Sequence, residues 1–165
     1  MKKITILAVT LLMMAITAQA QEIGKLLNRY SNDERFTYVS LNGNLIQFGL
    51  SFIDADMDGI DKTLKDELNE IKGIKVLTLE SKSAEEKKQI EAIMTELNSA
   101  ISKDSKAESV IETRKDGEVT KIYTTSEGLL IISKEPEELS VVFFSGKLSA
   151  KSIKELISIH DKKQF

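Results

Sequence analysis

The sequence predicts an α+β domain: a mixed, largely antiparallel sheet of about six strands, amphipathic helices packed mainly on one face, and a C-terminal four-strand meander followed by a final helix. Three observations predict it. Apolar residues recur at helical spacing in several separate stretches, with a Ser-x-x-Glu signature before the longest of them. The region after residue 108 switches to short β-rich runs punctuated by Asp-Gly, Glu-Gly and Pro. At 165 residues, with 41% hydrophobic content and neither cysteine nor tryptophan, the chain can bury one core by packing alone.

Residues 1–20 read as an address. Lys2 and Lys3 precede an apolar run from Ile4 to Ile16, and Ala18-Gln19-Ala20 presents small residues where a signal peptidase selects them. A run of this length is short for a membrane span, which needs about 20 apolar residues. No cysteine follows it, so a lipid anchor at the cleavage site is excluded. The expected product is a single domain over residues 21–165, periplasmic or secreted and not a lipoprotein. Removal of the leader leaves 21 basic against 26 acidic residues, a net of −5 in place of −3.

Along the remaining chain, Ile23, Leu26, Leu27 and Tyr30 share one side of a short helix. Phe36 to Leu41 reads as a strand, with Val39 and Leu41 on one face and Phe36 and Tyr38 on the other. Asn42-Gly43 ends it. Leu45, Ile46, Gly49, Phe52 and Ile53 fit a buried helical stripe, and Ile60, Leu64, Leu68 and Ile71 fit another, with Gly73 as its stop. Ile74 to Leu79 is a short apolar strand. Ser83 and Glu86 then form a capping box for a helix from about Ala84 to Ile101.

A polar linker near Lys106 precedes four strands: Ser109 to Arg114, Val119 to Thr125, Leu129 to Ser133 and Leu139 to Ser145. The last two are apolar on both faces and belong in the centre of the sheet. The first pair carries Glu112, Arg114 and Lys121 and belongs nearer an edge. Ser149 caps a final helix with Ile153, Leu156, Ile157 and His160 along its stripe.

Chemistry is sparse in this sequence. The mild acidity excludes the basic excess that drives nucleic-acid binding. With no cysteine and His160 alone, a Ser-His-Asp or Cys-His mechanism and a zinc or copper site lack parts; His160 fits the edge of the core. No catalytic residue, cofactor or phosphate-binding loop is expected. The one motif with metal-ligand spacing is Asp54-x-Asp56-x-Asp58-Gly59, which matches the first half of an EF-hand calcium loop. Its second half departs from that loop, with Lys62 and Lys65 where ligands should stand. An Asp-rich turn favouring the next helix N-terminus through its dipole accounts for it more simply.

The order of segments resembles the family catalogued as domain of unknown function 4252, small exported proteins common in Bacteroides-type Gram-negative bacteria. The resemblance is carried by Thr37-Tyr38-Val39-Ser40-Leu41-Asn42-Gly43-Asn44-Leu45-Ile46, by Ile71-Lys72-Gly73-Ile74-Lys75-Val76-Leu77, and by the strand block ending Val141-Val142-Phe143-Phe144-Ser145-Gly146-Lys147-Leu148. It implies an envelope location and a one-domain α+β fold, and it transfers no functional residue. The expected role is that of a non-enzymatic exported protein with an envelope protein partner and no membrane anchor after cleavage. A small-molecule or lipid carrier with a cavity between sheet and helices is the alternative, and a carboxylate-based hydrolase a remoter one.

Overall fold

The computed structural model describes residues 22–47 and 62–154. Residues 1–20, expected to form a leader, lie outside the described residues, as do Asp54, Asp56, Asp58, His160 and the stripe positions Gly49, Phe52, Ile53, Ile60, Leu156 and Ile157.

Helix α1 (Glu22–Arg29) leads into β1 (Thr37–Asn42), and residues 43–47 form a helical segment directly after it. Helix α2 (Lys62–Asn69), β2 (Gly73–Glu80) and the long helix α3 (Ala84–Lys103) follow. The chain then runs through β3 (Glu108–Lys115), β4 (Glu118–Thr124), β5 (Gly128–Lys134) and β6 (Glu138–Ser145), and residues 150–154 are again helical. The six strands form one sheet in the order β1-β2-β6-β5-β4-β3, with every neighbouring pair antiparallel. The meander is therefore β3 to β6, and β2 closes onto its last strand. As the apolar content of β5 and β6 requires, these two sit in the interior and the charged β3 lies at one edge.

Each connection follows from local chemistry. Ser83 accepts the Glu86 N–H at 3.2 Å, and the Glu86 carboxylate takes the Lys82 N–H at 2.6 Å, one residue before the position a reciprocal box would use. Helix α3, 20 residues long, extends about 30 Å. That exceeds the roughly 19 Å of four strand spacings separating β2 from β3, so this one helix can return the chain to the far edge. The β3–β4 hairpin turns at Asp116 (φ 51°) and Gly117 (φ 89°), the left-handed pair that an Asp-Gly turn requires. Gly73 is a correction to the sequence reading: α2 stops at Asn69, and Gly73 opens β2, pairing with Asn42 and Ser145. Ile71 drops into a hydrophobic cluster between the two, which draws the chain off the helix axis before a glycine cap could form.

The principal core lies between one face of the sheet and helices α1 and α3. Ile23, Leu26 and Leu27 from α1 and Ile90, Ile93 and Leu97 from α3 pack on Leu77, Leu79, Leu130, Ile132, Leu139, Val141 and Phe143. The opposite face carries a smaller cluster at one end, where Ile71, Leu148 and Ile153 cover Leu129, with Ile74, Ile122, Ile131 and Phe144 packed around them.

Candidate functional site

Strand register sorts the second face of the sheet into rows. Val39 is opposite Val76, Val76 opposite Val142, Val142 opposite Ile131, Ile131 opposite Ile122 and Ile122 opposite Ile111, so six β-branched aliphatics cross all six strands in line. One row along, Thr37, Thr78, Ser140, Ser133, Thr120 and Thr113 are aligned in the same way. Hydroxyls in this second row approach one another, at 3.5 Å for Thr78 and Ser140 and 3.4 Å for Thr120 and Ser133.

The aliphatic row is covered unequally. Ile122 and Ile131 pack against the smaller cluster, whereas Val39, Val76 and Val142 belong to neither hydrophobic cluster of described residues. Among the described residues the exposed large apolar side chains are Val39 at 44%, Leu41 at 37% and Leu45 at 54%. All three lie on β1 or just beyond it. Val39 and Leu41, two positions apart on one strand, share a face of β1. Beside the start of β1, a charged groove of about 540 Å³ is lined by Glu34, Arg35, Thr37, Thr78, Glu80, Lys82 and Glu86.

The two edges of the sheet differ. Strand β3 carries Glu108, Glu112, Arg114 and Lys115 and has a register irregularity between Ser109 and Ile111. Charge and bulging are the usual protections of an edge strand. Strand β1, Thr-Tyr-Val-Ser-Leu-Asn, has no charge, proline or register shift, and among the described strands it pairs with β2 alone, in unbroken register.

The strongest candidates for carboxylate chemistry are engaged elsewhere. Glu127, on the β4–β5 turn, accepts the N–H of Ile23 at 3.0 Å with one oxygen and that of Gly24 at 3.3 Å with the other. Burial pushes its carboxyl up, with help from the Asp104 charge, against those two hydrogen bonds and nearby Lys75. Burial also acts upward on Asp104, but N–H groups of Ser126 and Lys106, at 2.7 and 2.9 Å, outweigh it and hold this carboxyl below its usual range. All four oxygens of the two acids thus serve backbone donors. Among the described residues no cluster of three or more His, Asp or Glu is placed to hold a metal ion, and no helix is long and apolar enough to cross a membrane.

Alternation along residues 36–41 places Val39 and Leu41 on one face of a strand, as observed, but does not single them out. The signal that could have found them is the uncharged β1 stretch set against the charged β3.

No curated protein and no solved structure matches the chain. The family model described as "Domain of unknown function (DUF4252)" matches residues 30–156, from the end of α1 past the second hydrophobic cluster. The chain therefore belongs to the DUF4252 family.

Proposed function

We propose that this chain is an exported, non-enzymatic binding protein of the cell envelope that works by protein–protein contact through the β1 side of its sheet. The observation that carries the reading is that, among the described residues, the exposed large apolar side chains are Val39, Leu41 and Leu45, all on β1 or just beyond it. Fully burying an aliphatic side chain yields about 1.5–3 kcal/mol; these three keep between 37% and 54% of their surface exposed, so a partner that covers them gains up to about half of that from each. The leader-like residues 1–20 support export, and the absence of cysteine is compatible with it. A carrier cavity between helices and sheet has no comparable support, since Leu77, Leu97, Leu130 and Val141 fill that layer at 0–1% exposure. The hydrolase reading lacks a carboxylate oxygen free of backbone donors at Glu127 and Asp104.

The test is a photo-crosslinking amino acid placed at Val39 or Leu41, with Thr113 on the opposite edge as control, in the organism that makes the protein. A discrete protein adduct from β1 alone, recovered in the envelope fraction with the leader removed, supports the reading. Equal labelling from both edges, or an uncleaved protein in the cytosol, overturns it.

A further inference from the structure

The identity of the partner can be argued from the edge itself, on the footing of the binding role just proposed. We infer that β1 joins β1 of a second copy of this chain, antiparallel across a two-fold axis, making one continuous twelve-stranded sheet.

The hydrogen-bonding phase leaves β1 open for this. Ser81 donates to the Glu137 carbonyl at 2.6 Å and Glu135 to that of Glu138 at 2.8 Å, which sets the alternation along β2, β6 and β5. The odd-numbered residues of β2 thereby face β6, so Ile74, Val76 and Thr78 face β1 through Leu41, Val39 and Thr37. The N–H and C=O groups of Tyr38 and Ser40 point outward, with no described strand beyond them. An added strand would bond to these two residues.

Self-pairing fits the chemistry of the strip. A two-fold contact sets a surface against itself, so a charge near the axis meets its like; Thr37 to Asn42 contains none. Opposing Ser40 with Ser40 of the second copy keeps the hydrogen-bonding phase and sets Val39 beside the other Leu41, twice. Both exposed side chains then gain an apolar neighbour, and the aliphatic row runs unbroken from one copy into the next. The competing head-to-tail arrangement, β1 on β3, would lay this strip against Glu108, Glu112, Arg114 and Lys115 and the irregularity at Ser109, and would propagate into a ring or an open filament. The charged, irregular β3 edge disfavours it, and the assembly closes as a dimer.

The experiment is sedimentation equilibrium on the protein as the cell produces it, from micromolar to millimolar, with the variants Ser40→Pro and Leu41→Lys. Ser40→Pro removes an outward N–H and adds a ring at the free edge, where a single domain tolerates proline. Leu41→Lys puts like charges near the axis. The expected result is a concentration-dependent dimer whose dissociation constant rises at least tenfold in both variants, with circular dichroism and melting temperature showing each monomer folded. A wild-type monomer throughout the range overturns the inference, as does a dimer that neither variant weakens. If the wild type is monomeric yet crosslinks from Val39 to a different protein in the cell, self-pairing fails and the binding role stands. A monomer without any crosslink removes both.

Discussion

Glu127 accepts the backbone N–H of Ile23 at 3.0 Å across 104 residues of chain, fastening the first turn of α1 to the β4–β5 turn. Its second oxygen takes the Gly24 N–H, so a distant carboxylate supplies the cap that the local sequence lacks. The same helix contributes Ile23, Leu26 and Leu27 to the principal core.

Replacing Glu127 with Ala leaves both N–H groups without an acceptor and should cost about 1–2 kcal/mol, the usual loss for a helix cap. Urea unfolding measures it, and hydrogen exchange at α1 should rise more than at β5. A change below a few tenths of a kcal/mol would show that water replaces the carboxylate at no cost.

Glu127 and Asp104 should give opposite pH dependences. Burial raises the Glu127 pKa above its unfolded value of about 4.3, so its relative contribution is full below that value and is lost as pH rises through the folded pKa. Hydrogen bonding lowers Asp104 below an unfolded value of about 3.9, so its contribution is full above that value and is lost as pH falls through the folded pKa. The wild-type advantage over Asp104→Asn should therefore shrink in acid, and that over Glu127→Gln should shrink toward neutral pH. Urea titrations between pH 3 and 8 read both differences, and the same sign for the two would contradict the assignment.

Two glycines should respond in opposite directions to alanine. At Gly128 (φ 153°) an added Cβ would stand 1.9 Å from the Phe144 carbonyl oxygen, so Gly128→Ala should cost more than about 3 kcal/mol or prevent folding. In α1, a Cβ at Gly24 meets nothing closer than 3.5 Å, and Gly24→Ala should raise stability by up to about 1 kcal/mol. Thermal melts of the two variants decide the matter, and a stable Gly128→Ala protein would refute the close β5–β6 approach.

The capping box offers a local counterpart. Ser83→Ala removes the acceptor for the Glu86 N–H and should cost about 1 kcal/mol. Glu86→Gln should cost less, because its carboxylate, held low chiefly by the Lys82 N–H, is exposed and screened. Equal losses at the two positions would place the stabilising weight on the charge.

Much of the fold was legible because it is written at short range. Ser83 and Glu86 announced α3, Asp116-Gly117 announced the β3–β4 hairpin, and the two-sided apolar runs of β5 and β6 announced the centre of the sheet. The candidate surface was legible only by halves. Alternation in β1 assigns Val39 and Leu41 to one face and Phe36 and Tyr38 to the other, but gives no reason why Phe36 is buried while Val39 is 44% exposed.

The amino-acid sequence by itself determined the elements, their caps and turns, and the neutrality of β1 against the charge of β3, since each depends on residues a few positions apart. Only the tertiary structure decided that β2 closes onto β6, leaving β1 at the edge of the described sheet, and that α1 and α3 occupy one face while Val39 on the other joins neither cluster of described residues. The physical reason is that a strand's two faces and two edges are equivalent until non-local pairing and burial choose among them. The Glu127 tie to Ile23 belongs with those choices: a cap 104 residues away has no signature in local spacing, and arises only once the core has brought the two turns together.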